Sequence, residues 1–273
     1  MKKICFTKAV ASGNDFVIVD NKDGTKDALN LDYSALAMEV CQRKLSIGAD
    51  GLLVLEKSAE AVFRMRIINP DGSEVDMCGN GIRCSAVYAS TRGWGDTLTI
   101  ETGAGILSAE VEGKAVKIKM SEPRDIKLGV ELKVGLETLK VHCINTGVSH
   151  AIHIVENIEN YPVKNVGREI REHSFFSPDG TNVDFASEIE KHSVRIRTYE
   201  RGVEDETLAC GTGIVATALI LGLLEKVSSP VKLRTQSGEV VTVYFTISGK
   251  KISNAYLEGE AKIVCEEISW LVG

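Results

Sequence analysis

Met77-Cys78-Gly79-Asn80-Gly81-Ile82-Arg83-Cys84-Ser85-Ala86 is answered later in the chain by Ala209-Cys210-Gly211-Thr212-Gly213-Ile214-Val215-Ala216-Thr217-Ala218. Both stretches read C-G-x-G-I with alanine eight residues after the cysteine, at an offset of 210 − 78 = 132. The flanks align at nearly the same offset. Arg64-Met65-Arg66-Ile67 precedes the first cysteine as Arg195-Ile196-Arg197 precedes the second. Gly48-Ala49-Asp50 stands opposite Gly180-Thr181-Asn182, each ending 28 residues before its cysteine. Further upstream, Ser12-Gly13-Asn14-Asp15 falls opposite Thr146-Gly147-Val148-Ser149-His150, and downstream Leu98–Gly103 falls opposite Val231–Gly238, a hairpin following each. Five ordered correspondences mark an internal duplication. Its period is domain-sized, beyond that of solenoid repeats, so two similar domains are expected, 1–121 and 122–261. The linker falls at Ser121-Glu122-Pro123-Arg124, where proline interrupts strand-like text.

Strand-like runs outnumber helices throughout, among them Phe16–Asp20, Leu52–Glu56, Phe63–Ile68, Ile152–Val155 and Val194–Tyr199. Each half has a long apolar helix starting just after its C-G-x-G, Gly79 to about Thr91 and Gly211 to about Lys226. Asp32–Lys44 and Val163–His173 read as a second helix per half. The expected fold class is therefore α+β: two pseudo-symmetric domains, each a mostly antiparallel curved sheet around a central helix.

Composition narrows the function. Of 273 residues, 32 are basic and 38 acidic, a net charge of −6, and aromatics make up 5%. Neither the charge nor the aromatic content suits nucleic acid, so a small-molecule partner is expected. No run of 18 apolar residues exists, and Met1-Lys2-Lys3 leads at once into strand-like text, which argues against a membrane span or signal peptide and for the cytoplasm. Seven cysteines without any C-x-x-C make a disulfide framework or zinc ribbon an unsuitable reading. Cys84 lies about 240° round the helix from Cys78 and points away from a site at its start, and Cys5, Cys41, Cys143 and Cys265 read as packing residues.

Cys78 and Cys210 are different. A cysteine at a helix start sits among free N–H groups at the positive end of the helix dipole, which favours thiolate. The neighbouring glycines allow close approach of a carboxylate to those N–H groups. If the two copies present their cysteines to one cleft, a substrate meets a base on one side and an acid on the other. Inversion at a carbon bearing a carboxylate needs that equipment, with one cysteine as thiolate and the other as thiol. A thiol-redox or metal-binding role is the reading from another class, and no further cysteine or histidine at ligand spacing supports it.

Asn69-Pro70-Asp71-Gly72-Ser73-Glu74 through Cys84, with Tyr199-Glu200-Arg201-Gly202, Glu206-Thr207 and Ala209–Gly213, closely resembles the diaminopimelate epimerases, and Phe6-Thr7-Lys8 with Gly13-Asn14-Asp15-Phe16 looks like that family's opening. The likeness runs to about Ala261. It implies a cofactor-independent isomerase interconverting LL- and meso-2,6-diaminopimelate in lysine and peptidoglycan precursor synthesis, a homodimer, and a C-terminal tail 262–273 that rejoins the first domain. By position, Cys78 and Cys210 match the acid/base pair, and Gly79, Asn80, Gly211 and Thr212 match the donors to the reacting carboxylate. Asn14, Asn69 and Asn182 match substrate-binding amides. Glu200 matches a carboxylate that contacts substrate and tunes the thiols, Arg201 an arginine for the distal carboxylate, and His150 a histidine near the thiols. Gly51 and Val148 depart from a glutamine and an asparagine found in some members. A related cofactor-free racemase or epimerase of another amino acid, of histidine or hydroxyproline type, is the alternative; Arg201, Asn69 and Asn182 favour a substrate with a second amino-acid head.

Overall fold

A computed structural model describes residues 2–26, 29–190, 192–249 and 251–272. The chain divides into two compact units, one made of Met1–Ile118 with Gly259–Gly273 and the other of Lys119–Glu258.

In the first unit the elements run β1 (Lys2–Ala11), β2 (Asn14–Asn21), α1 (Tyr33–Val40), β3 (Gly51–Glu56), β4 (Phe63–Ile68), β5 (Glu74–Val75), α2 (Gly79–Thr91), β6 (Thr97–Thr102), β7 (Gly105–Glu112) and β8 (Ala115–Lys119), with β18 (Lys262–Val272) returning from the end of the chain. The strands pair in the order β18-β1-β2-β3-β4-β6-β7-β8, and β5 adds to β4. The second unit holds β9 (Arg124–Val134), β10 (Glu137–Asn145), β11 (Ser149–Ile154), α3 (Val163–Arg171), β12 (Asn182–Glu190), β13 (Ser193–Glu200), β14 (Asp205–Thr207), α4 (Gly211–Leu223), β15 (Val231–Arg234), β16 (Val240–Ser248) and β17 (Lys251–Glu260). Its order repeats the first, β9-β10-β11-β12-β13-β15-β16, with β17 beside β16 and β14 on β13.

Pairing direction repeats with the order. Among the described residues, the pairs within each unit that run parallel are β2–β3 and β4–β6 in one, and β11–β12 and β13–β15 in the other. The ninth strand of the pattern comes from different places: β9 precedes β10 in sequence, whereas β18 reaches β1 from the far end of the chain.

Helix α2 packs against β1, β2, β3, β4, β7 and β18, and α4 against β10, β11, β12, β13, β15 and β16. Each is wrapped by strands of its own unit, which explains their composition. A helix surrounded by sheet has no solvent face, so Asn80–Ala89 and Gly213–Leu221 are buried without a break. Leu219, Ile220 and Leu221 of α4 join Ile152, Ile196, Leu233 and Val241 of the surrounding strands in one apolar core. The α+β reading thus holds, as do two central helices.

Several boundaries differ from the sequence expectation. α1 stops at Val40 because Cys41 closes it through Ala37 O, and Lys44 then takes a left-handed φ of 69°. α3 ends at Arg171, and α4 ends at Leu223, before Glu225 turns left-handed at φ 57°. β9, β12 and the short β5 and β14 lie outside the strand-like runs read from the sequence. Pro123 masks the start of β9, and Asp184 interrupts the apolar text of β12. Cys41, Cys84 and Cys143 are buried as packing residues should be, but Cys5 and Cys265 are exposed. Strand alternation is the reason for Cys5, which lies between the buried Ile4 and Phe6.

One ion cluster ties β1, β2 and the loop after α1 together. Asp15 meets Lys8 at 2.8 Å and Arg43 at 2.6 Å, and Arg43 also holds Asp50 at 2.7 Å. Burial alone would raise the Asp15 carboxyl, but the hydrogen bonds and charges of Lys8 and Arg43 outweigh it and hold it below its ordinary value. A depressed carboxyl stabilises the fold above its unfolded pKa of about 3.9 and ceases to do so as pH falls through the folded value. Thermal unfolding followed from pH 6 to pH 2.5 should therefore show a smaller acid-side loss for Asp15→Asn than for the parent chain. Parallel curves would exclude this cluster from the acid response.

Candidate active site

Cys78 and Cys210 each occupy the N-cap of a 13-residue helix with extended backbone, at φ −146°, ψ 116° and φ −121°, ψ 110°. Helix N-caps are usually Ser, Thr, Asp or Asn, whose side chains satisfy first-turn N–H groups. Neither thiol makes a regular cap hydrogen bond, although the Gly213 N–H lies toward the Cys210 sulfur. The backbone carbonyls still accept the first helical bonds, from Ile82 to Cys78 and from Ile214 to Cys210, both at 2.9 Å. A thiol and first-turn N–H groups are thus offered together at each helix start, which suits a carboxylate with an acidic neighbouring C–H.

The glycines divide into two kinds. A Cβ on Gly79 would meet nothing within 4 Å, and one on Gly211 only Leu257 Cδ1 at 3.9 Å. Their missing side chains leave open space beside each thiol. A Cβ on Gly81 would lie 3.2 Å from Leu53 Cδ2, and one on Gly213 only 2.3 Å from Asp184 Oδ1, so these two glycines serve packing.

In the first unit the amide side chains form a network. Asn14 Nδ2 donates to Asp50 Oδ2 at 3.1 Å, and Asn14 Oδ1 accepts from Asn80 Nδ2 at 2.6 Å. Asn80 Oδ1 accepts from the buried Arg83 guanidinium at 2.6 Å, which also donates to Ser12 Oγ at 2.5 Å and Glu260 O at 3.2 Å. Arg83 thereby fixes which way the Asn80 and Asn14 amides point. Asn69 donates to Ser73 Oγ at 3.0 Å within its own turn. Gly51 opens β3 where a Cβ would lie 3.2 Å from Ile68 O, so a longer side chain there needs the strands to shift.

In the second unit His150 is fully buried, with Nδ1 2.7 Å from Asp184 Oδ2 and Nε2 2.9 Å from Thr212 Oγ1. Thr212 Oγ1 lies 3.4 Å from Cys210 Sγ. Asn182 Oδ1 accepts the Arg201 N–H at 2.8 Å, and the Arg201 guanidinium donates to Asp179 O at 3.1 Å. Val148 O accepts from Thr146 N at 3.2 Å in the turn before His150. Burial pushes the Glu200 carboxyl up, partly opposed by Thr207 and His150. Cys210 departs from the expectation that a helix start favours thiolate. Burial pushes its thiol far up, the Glu200 and Asp184 carboxylates add to this, and Thr212 with the Gly213 N–H only partly counter it. Cys210 therefore rests as a thiol.

The sequence assigns no role to Asp184, Thr198, Asp50 or Arg83, whose partners are brought to them by the fold.

The fold is shared with solved proteins of low identity. A phenazine biosynthesis protein of the PhzF family from Bacillus anthracis matches with TM-score 0.75 at 21% identity, covering 100% of both chains. A hydroxyproline epimerase from Agrobacterium vitis matches with TM-score 0.70 at 15% identity, covering 98% of this chain and 92% of its own. These define a duplicated α+β fold class. Sequence narrows it further: the profile of diaminopimelate epimerase matches residues 6–126 and 142–264. A diaminopimelate epimerase from Hydrogenobaculum sp. (strain Y04AAS1) is 39% identical over 95% of this chain and 96% of its own, and one from Chlorobaculum tepidum is 41% identical over 93% and 96%. The chain belongs to the diaminopimelate epimerase family.

Proposed function

We propose that this chain interconverts LL- and meso-2,6-diaminopimelate without a cofactor, using Cys78 and Cys210 as a thiolate/thiol pair that exchange roles with direction. The observation that carries this is the matched N-cap cysteine in each copy, beside a glycine that the fold does not require. The thiolate takes the Cα proton and becomes a thiol while the other thiol gives its proton to the opposite face and becomes the thiolate, and fixed N–H donors stabilise the enolate charge that develops on the carboxylate. A resting thiol at Cys210 fits the acid of the pair, leaving Cys78 as the base for one isomer.

The donors at Gly79, Asn80, Gly211 and Thr212 take the reacting carboxylate. Asn14, Asn69, Asn182 and Arg201 recognise the second amino-acid head, and Glu200 and His150 tune the thiols. Arg201 suits a carboxylate because its guanidinium presents a planar fork. The enzyme acts in the cytoplasm as a homodimer, in the route to lysine and peptidoglycan precursors.

Incubation of LL-diaminopimelate with the enzyme in deuterated water under reducing conditions should give the meso isomer with deuterium at Cα. The same assay on a panel that includes histidine and hydroxyproline should show no comparable turnover. Absence of both isomerisation and Cα exchange with diaminopimelate would defeat the reading.

A further inference from the structure

Asp184 is the least expected residue of the core. It is fully buried in β12, between Ile152 of β11 and Thr198 of β13 in register. In the first copy Leu53 takes the equivalent place, between Ile18 and Ile67, and it is Leu53 that a Cβ on Gly81 would touch, as Asp184 is what one on Gly213 would strike. An apolar pair in one copy, Leu53 and Ile67, is thus a hydrogen-bonded polar pair in the other, where Thr198 donates to Asp184 Oδ1 at 2.7 Å. The copy with leucine shows that the fold itself needs no carboxylate here. Burying one costs several kcal/mol unless it is well paired.

Its partners lead in one direction. From Asp184 Oδ2 the hydrogen bonds run to His150 Nδ1, from His150 Nε2 to Thr212 Oγ1, and from Thr212 Oγ1 to Cys210 Sγ. A carboxylate only accepts, so His150 donates from Nδ1 and keeps Nε2 as an acceptor. Thr212 must then donate its hydroxyl proton to Nε2, which turns an oxygen lone pair toward the thiol. The polarity of the whole chain is set at Asp184.

We propose that Asp184 is a positioning residue of the epimerase site, holding His150 in the Nδ1–H tautomer so that the Thr212 hydroxyl relays the Cys210 proton to and from His150 Nε2. As Cys210 ionises, the S–H bond breaks and an O–H bond forms on Thr212, while the original Thr212 O–H breaks and an N–H forms on His150. The products are a thiolate and an imidazolium held against the Asp184 carboxylate, with no atom or electron left over. The reverse step reloads the thiol. This rests on the reading of Cys210 as an acid/base group.

The charged groups near the thiol make the test discriminating. Glu200 from β13 and Asp184 from β12 both oppose a thiolate by their charge, Arg197 from β13 lines the same small cavity as Cys210, and His150 from β11 and Thr212 from α4 carry the hydrogen-bonded path to it. If Asp184 acted only as a nearby charge, Asp184→Asn would let Cys210 ionise at lower pH. Acting through His150, the same change misorients the imidazole and moves ionisation to higher pH. Thr212→Val removes the relay while keeping the Thr212 N–H and its shape, and should also move it higher.

Alkylation of the intact enzyme by iodoacetamide across pH, with Cys210 resolved by peptide mass spectrometry, reads this directly. Both variants should raise the pH of half-maximal alkylation rate by about one unit or more, a tenfold effect on thiolate formation. They should lower kcat by about 10²-fold or more with little change in KM, as for loss of general acid–base assistance, and Thr212→Ser should restore both. A profile unmoved in Thr212→Val, or moved to lower pH in Asp184→Asn, would overturn the relay, and Thr212→Val tests it even if Asp184→Asn does not fold. Full epimerase activity in Cys210→Ala would instead overturn the underlying acid/base reading, whatever the alkylation profile shows.

Discussion

Replacing either Cys78 or Cys210 by alanine is expected to lower inversion of diaminopimelate by about 10²–10⁴-fold or more, the range general acid–base catalysis contributes. The two losses should be similar in size although the two thiols are not alike. Cys210 is buried and Cys78 partly exposed, and Cys210 is held as thiol by burial and two carboxylates. Equal losses follow from chemistry: one thiol without the other can remove a proton but not deliver one to the opposite face. Hydrogen exchange separates the roles. Each variant should incorporate deuterium only into the isomer whose Cα proton its surviving thiol removes, and without inversion. Full inversion in either single variant would remove the two-base assignment, and loss of inversion in only one would make a single thiol sufficient.

The duplication was legible because it is written in chemistry-bearing text. C-G-x-G-I recurs at one offset, and the structure places both helices at that offset with the same length and the same N-cap residue. Periodicity also announced that α4 would be buried, since Ile214, Val215, Ala218, Leu219 and Leu221 leave it no polar stripe. Besides the very short β5 and β14, two long strands escaped, for opposite reasons. β9 follows a proline and carries charged residues on its exposed positions, so its buried alternation, Leu132 and Val134, is brief. β12 is interrupted by Asp184, which reads as a loop residue until the partners on β11 and β13 are known. Asp184 sits against Gly213, 29 residues later, and meets His150, 34 residues earlier, so no local pattern reveals it. Nor could the sequence weigh helix-end stabilisation of a Cys210 thiolate against burial and two nearby carboxylates. That balance depends on distances in three dimensions, and it reverses the local expectation.

The four glycines of the paired motifs give a second large effect, because the fold treats them in two ways. Gly79 and Gly211 begin their helices at sites where an added Cβ would meet open space or an ordinary contact at 3.9 Å. Alanine is a better helix former than glycine by up to about 1 kcal/mol, so Gly79→Ala and Gly211→Ala should leave stability unchanged or slightly raised. Activity should fall sharply all the same, by about 10²-fold, since a methyl group stands where a carboxylate must reach the first-turn N–H groups and a small misplacement of the reacting carbon is costly. Gly213→Ala should do the reverse. Its Cβ would lie 2.3 Å from Asp184 Oδ1 and 3.0 Å from Asp184 Cγ, inside a packed core where overfilling costs about 1–3 kcal/mol or more. Gly81→Ala is the control for chemistry, since its Cβ would press on the Leu53 side chain at 3.2 Å, an apolar group that can yield. Urea unfolding and epimerisation rates measured on all four variants separate the two roles. Full activity in both Gly79→Ala and Gly211→Ala would show that ligand does not occupy the space beside the thiols. A Gly213→Ala variant as stable as the parent would show that the Asp184 carboxylate is free to retreat from the helix, and a carboxylate that can retreat does not hold His150 in place.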